Sequence, residues 1–158
     1  QPFYVKGASM EPSFFDHEYL IIDEISYRFN EPKRGDIVVF RYPNDPRQYF
    51  IKRIVAMPGE RIKLSGGRVT IFSDANDMAG TLLDETGYLG TTFTSGEKEV
   101  EVGSDQYFLM GDNRTASLDS RIFGPVERSF IVGRVWFRGW PPEKIKVFNE
   151  SPDSINQQ

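Results

Sequence analysis

With 158 residues the chain can build one domain with a real core and room for a smaller subdomain. A formal net charge of -4, with no clustered basic stripe, argues against nucleic acid as a partner. The absence of cysteine removes disulfides, zinc thiolate sites and cysteine nucleophiles, and a single histidine rules out a multi-histidine metal site, so no metal or cofactor is expected.

Short β-branched and aromatic runs, separated by Gly, Pro, Asp and Asn, predict an all-β chain with long connections. In chain order the strands are expected at Phe3–Lys6, Tyr19–Glu24, Ile37–Arg41, Tyr49–Ala56, Arg61–Lys63, Arg68–Phe72, Glu97–Val102, Gln106–Met110 and Val132–Phe137. Turn chemistry stands at Pro43-Asn44-Asp45-Pro46, Ser65-Gly66-Gly67 and Gly111-Asp112-Asn113. Ser73–Gly96 is polar, rich in Gly and Thr and without clear periodicity, and reads as a partly mobile insertion. The expected organisation is a main β-domain over 1–64 and 105–149, an inserted smaller β-subdomain over 65–104 and a frayed tail over 150–158. No run reaches the roughly eighteen apolar residues of a membrane span. Gln1 stands only eight residues before a candidate nucleophile, so the chain is expected to be a soluble part of a longer protein.

That candidate is Ser9, in Gly7-Ala8-Ser9-Met10-Glu11-Pro12. Glycine there would admit a substrate backbone closely, and the Ser9 amide could face a developing oxyanion. A tight turn after the first strand explains the same residues. A serine hydroxyl needs a base. The lone His17, in the solvated-looking Asp16-His17-Glu18, is a poor candidate for a Ser-His-Asp triad. Lys52 is the one lysine set among apolar neighbours, in Phe50-Ile51-Lys52-Arg53-Ile54-Val55. At its ordinary pKa a lysine is almost wholly protonated near neutrality. Burial that lowers it by about two to three units, roughly 3–4 kcal/mol of desolvation, would leave a useful neutral fraction. Pattern alone fits an outward-facing residue of an alternating strand more readily than a base.

A third segment, Gly111–Pro125, is dense in charges and hydroxyls between two apolar strands. Asp119 and Arg121 are two apart and in extended chain would share a face and could pair. If folded against the core, such a loop must satisfy its own polar groups. A scaffold and a functional site are both open readings.

Val5–Ser13, Lys52–Glu60 and Gly111–Pro125 resemble, in order and spacing, the motif boxes of bacterial-type type I signal peptidases, with Arg34–Phe40 similar to the box between. Gly67-Arg68-Val69, Leu82–Glu85 and Tyr88-Leu89 are similar to that family's middle region, and the resemblance covers nearly everything from Val5 to Pro141. It implies the signal-peptidase β-fold with an inserted β-subdomain and a serine endopeptidase of exported preproteins. It implies Ser9 as nucleophile, Lys52 as general base, and Ser117 hydrogen-bonding the lysine amine. Asp119 and Arg121 would support that loop by pairing, and Val5, Gly7, Met10, Phe50 and Ile51 would line or flank the substrate cleft. The implied substrates are signal peptides, bound as an extended strand and cut after Ala-x-Ala-like sites. Partners are then the signal peptide and a lipid surface, with the catalytic domain on the extracytoplasmic side of a membrane. Phe14-Phe15 could belong to a bilayer-touching surface or to the core.

Gly7 stands where some members carry a serine whose hydroxyl is the second oxyanion donor, so that donor is a backbone group or missing. Ser13 replaces the commoner threonine. Two competing readings are a self-cleaving repressor-type Ser/Lys protease and an inactive peptide-binding β-module. Ala79-Gly80, a possible self-cleavage site, follows the nucleophile in sequence and lies in the insertion, which opposes the first. Retention of Ser9, Lys52 and Ser117 together opposes the second.

Overall fold

The computed structural model describes residues 2–148, so the tail expected to fray, 150–158, lies outside the described residues. Its strands are β1 (Pro2–Tyr4), β2 (Tyr19–Asp23), β3 (Ile37–Tyr42), β4 (Asp45–Ala56), β5 (Arg61–Ser65), β6 (Arg68–Phe72), β7 (Thr81–Leu82), β8 (Lys98–Glu101), β9 (Gln106–Met110), β10 (Val126–Glu127), β11 (Ile131–Trp140) and β12 (Lys146–Val147). Two one-turn helices, α1 (Thr86–Leu89) and α2 (Ser120–Phe123), sit in connections. One sheet runs β1-β2-β11-β3-β4-β9-β10, with β12 added to β11; a second runs β7-β6-β5-β8. The fold is mostly β, as the sequence predicts.

β3 is the middle of the larger sheet and is apolar on both sides: Val39 joins Met10, Phe14, Leu20, Ile22 and Val135 on one face. Val38 and Phe40 join Tyr27, Ile54, Leu109 and Ile131 on the other. Side chains alternate along a strand, so a central strand covered on both faces must be a continuous apolar run. Burying a side chain such as Phe40 contributes roughly 2–3 kcal/mol. A third cluster ties the sheets together, with Val55, Ala56, Phe108 and Met110 of the larger packing on Ile62, Leu64, Val69 and Ile71 of the smaller.

Strand β4 positions the site. It begins at Asp45 rather than Tyr49, because only Pro43-Asn44 form the turn and Tyr42 pairs with Asp45. Up to Lys52 it pairs with β3 alone; Arg53 pairs with both β3 and β9, and Ile54 and Ala56 pair with β9. Lys52 therefore sits where the strand passes from sheet edge to sheet interior. The second sheet begins at Arg61, because β5 pairs with β6 and β8, not with the larger sheet; the expected boundary at residue 65 falls inside it. The 73–96 stretch contains β7 and α1.

Candidate active site

Ser9 occupies a turn closed by the Glu11 N–H donating to the Ala8 carbonyl at 3.1 Å. The chain enters it through Gly7 at φ +85°, a left-handed conformation that strains any residue with a Cβ. The turn is held from the far side by Asn113, whose N–H donates to the Ser9 carbonyl and whose Nδ2 donates to the Ala8 carbonyl, both at 2.9 Å. Met10 anchors it to the core, and its sulfur accepts the Asp112 N–H at 3.4 Å.

Lys52 is 4% exposed, and its Nζ lies 2.9 Å from Ser9 Oγ and 3.0 Å from the Ile51 carbonyl. The Phe50 ring stands 5.2 Å away. Burial lowers the Lys52 amine to about 8, against the opposing pull of the Asp119 and Asp112 carboxylates. A buried amine lowered this far is partly neutral near physiological pH. Such an amine, within hydrogen-bond reach of a hydroxyl, can accept its proton.

The Gly111–Pro125 segment packs against both groups. Asp119 and Arg121 form a two-fold ion pair at 2.9 and 2.8 Å, although the segment is not extended there: Asp119 caps α2 and also accepts the Arg121 and Gly111 N–H groups. Burial would raise the Asp119 carboxyl, but Arg121 and the Gly111 amide outweigh it and hold the group below the usual range. Beside Lys52, Arg53 donates to both Asp112 oxygens at 2.9 and 2.8 Å, and Asp112 also accepts the Ser13 hydroxyl at 2.5 Å. Ser13 thus ties the Ser9 turn to the partner of the residue next to the lysine.

A cleft of about 340 Å³ opens on this pair, lined by Val5, Phe50, Ile51, Ser9, Lys52 and Leu118. Several expected positions differ. Met10 is 1% exposed and in the core, so it does not line the cleft; its thioether fills the space beneath the turn. Gly7 is off the cleft wall, and its N–H is committed to the Asp16 carboxylate at 2.9 Å. Ser117 makes no hydrogen bond to Lys52: its hydroxyl is buried without a well-aligned partner, crowded against Gly111 and near enough to Asp119 to help hold that carboxyl down. Phe14 is fully buried, whereas Phe15 is 38% exposed beneath Lys144. His17 is an exposed group bonded to Tyr4 and Asp16, not to Ser9. Sequence reasoning missed Asn113, whose signal was its place in an Asp-Asn turn, and Leu118, an exposed leucine in an otherwise polar loop.

A cleft that opens on a serine hydroxyl 2.9 Å from a buried, partly neutral lysine amine can support the chemistry of a serine hydrolase. The chain belongs to the signal peptidase family, peptidase S26, whose family model matches residues 1–140. It is 36% identical over 156 residues to a Synechocystis protein described as "Probable signal peptidase I-2", covering 95% of this chain and 67% of that protein. It is 30% identical to signal peptidase IB of Staphylococcus aureus, covering 97% of this chain and 84% of the other. The crystal structure of a signal peptidase I from Enterococcus faecalis superposes with a TM-score of 0.56 at 26% identity, over 66% of this chain and 97% of that one. The protein is a serine endopeptidase that removes signal peptides from preproteins. Among the described residues no helix is long and apolar enough to cross a membrane.

Proposed function

We propose that the cut is made by Ser9 with Lys52 as the general base, after Ala-x-Ala-like sites presented as an extended strand. The observation that carries this reading is the 2.9 Å approach of a buried Lys52 Nζ to Ser9 Oγ. Ser9 Oγ attacks the scissile carbonyl while Lys52 takes its proton. The Ser9 N–H faces the oxyanion as one donor; Gly7 supplies no second, having no side-chain hydroxyl and an N–H already held by Asp16. The Lys52 ammonium, steadied by Asp119 and Asp112, returns the proton to the leaving amine. The neutral amine then activates water to release the acyl-enzyme. Asp119 and Arg121 keep the supporting loop in shape, and Ser117 fills the space beside Gly111. Preference for alanine follows from a shallow apolar cleft walled by Val5, Phe50 and Ile51, where larger side chains collide. Backbone pairing supplies affinity that tolerates sequence.

The catalytic domain would work at the extracytoplasmic face of a membrane. Exposed Tyr4, Phe15, Tyr19, Ile21, Trp136 and Val147 support contact of this end of the sheet with a lipid surface. The test is mass spectrometry of a synthetic signal peptide bearing Ala-x-Ala, incubated in detergent with the protein and with its Ser9→Ala and Lys52→Ala variants. A single cut after the second alanine, lost in both variants, is expected. The rate should rise with pH through an acidic limb near 8, where the amine becomes neutral. Full activity in Lys52→Arg, which cannot act as a base, would rule the mechanism out.

A further inference from the structure

Two buried arginines frame the dyad, Arg53 next to Lys52 and Arg114 in the loop that holds Ser9, and both are capped from outside the larger sheet. The Arg53 guanidinium lies 3.9 Å from the centroid of the Tyr88 ring, on α1. The Tyr88 hydroxyl donates to Glu85 at 2.6 Å; burial, helped by the Glu85 charge, raises that hydroxyl so that it keeps its proton. Glu85 takes two bonds from Arg114, at 2.7 and 2.6 Å, and Thr94 accepts a third at 2.9 Å. Arg114 Nε returns to the Gly111 carbonyl at 3.0 Å, and the next residue, Asp112, is the carboxylate that grips Arg53. The contacts close a ring: Arg53, Tyr88, Glu85, Arg114, Gly111-Asp112, Arg53. Asp112 also holds Ser13, and Asn113 holds the Ser9 turn, so the ring touches the settings of both reacting side chains.

We propose that Tyr88 and Glu85 are positioning residues for the reaction, the inserted segment clamping Arg53 and Asp112 in the arrangement that fixes Lys52 against Ser9. The proposal rests on the Ser9/Lys52 reading. An aromatic ring 3.9 Å from a desolvated guanidinium favours the charge and restrains where the guanidinium can lie. So restrained, Arg53 meets both Asp112 oxygens. Without the ring, Arg53 and Asp112 part, and more of the Asp112 charge reaches Lys52. The groups facing the amine are Asp112, with its partner Arg53, and Asp119, with its partner Arg121. A less compensated Asp112 favours the ammonium, so the base becomes available only at higher pH.

Steady-state cleavage of the Ala-x-Ala peptide against pH, with circular dichroism as a check on folding, tests this in Tyr88→Leu, Tyr88→Phe and Glu85→Gln. Tyr88→Leu should lower kcat about tenfold with little change in KM, and move the acidic limb to higher pH. Tyr88→Phe keeps the aromatic face on Arg53 and loses only the bond to Glu85, and should fall between the parent and Tyr88→Leu in both. If Tyr88→Leu does not fold, Glu85→Gln, which keeps shape and removes the charge anchoring Tyr88 and Arg114, should show the same two changes in smaller measure. A folded Tyr88→Leu with parental kcat and limb overturns the clamp, as does a Tyr88→Phe as impaired as Tyr88→Leu. Ser9→Ala and Lys52→Ala run alongside: activity surviving in them sinks the dyad itself, whereas their inactivity with an unaffected Tyr88→Leu sinks the clamp alone.

Discussion

Lys52 is desolvated by the folded chain itself, and its amine is held at about 8 against an ordinary 10.5. The unfolded chain therefore binds this proton more tightly than the folded one. The resulting cost to stability, about 3 kcal/mol, is fully present below pH ~8 and disappears as pH rises to about 10.5. Lys52→Met, of similar length and without charge, should melt at higher temperature than the parent near neutral pH, with the gap closing in alkali; identical melting temperatures at neutrality would contradict the burial cost. A stabilised but inactive variant is the expected form of a trade-off at a reacting group. Ser9 and Lys52 were readable as a candidate pair through the motif segments around them, since Lys63 and Lys146 also stand between apolar neighbours and pattern alone does not single out Lys52. Met10 was not readable, because a methionine after the serine suits a cleft wall as well as a core.

The turn before Asp112 shows how closely the elements meet. A Cβ on Gly111 would lie 2.5 Å from the Ser9 carbonyl oxygen and 2.0 Å from Ser117 Oγ. The Ser117 side chain can rotate away, but the backbone oxygen cannot move without shifting Ser9 itself. Gly111→Ala should thus fold yet lose kcat by about tenfold or more in the same peptide assay, and an unimpaired rate would show that the turn has slack. At this scale the longer strands were legible from their β-branched runs. β7, β10 and β12, two residues each, were not: a strand that short carries no alternation and is defined by its partner. The Asp119–Arg121 pair was anticipated from extended chain, but it forms across the first turn of α2, where Asp119 serves as cap and counter-ion together.

Over the whole molecule, the two sheets share one cluster, in which Val55, Ala56, Phe108 and Met110 of the larger sheet are covered by Ile62, Leu64, Val69 and Ile71 of the smaller. We propose that the inserted segment is therefore a subdomain without an independent core. Removing it would uncover four apolar side chains of the larger sheet and strand Arg114, whose carboxylate partner Glu85 lies in the segment. Scanning calorimetry should give a single transition with matching calorimetric and van't Hoff enthalpies; two resolved transitions would mean that the sheets unfold separately.

The sequence by itself determined the all-β class and the order of the long strands, and through its motif segments it pointed to Ser9 and Lys52 as a candidate pair, because these depend on residue type and on spacing along the chain. Only the tertiary structure decided that Lys52 is buried, that it lies 2.9 Å from a hydroxyl 43 residues away, and that Arg53 and Arg114 are capped from the insertion. Desolvation and contact belong to elements distant in sequence. The pKa of Lys52 is set by what β4, the Ser9 turn and the 111–124 loop jointly exclude from it, and no local pattern carries that information.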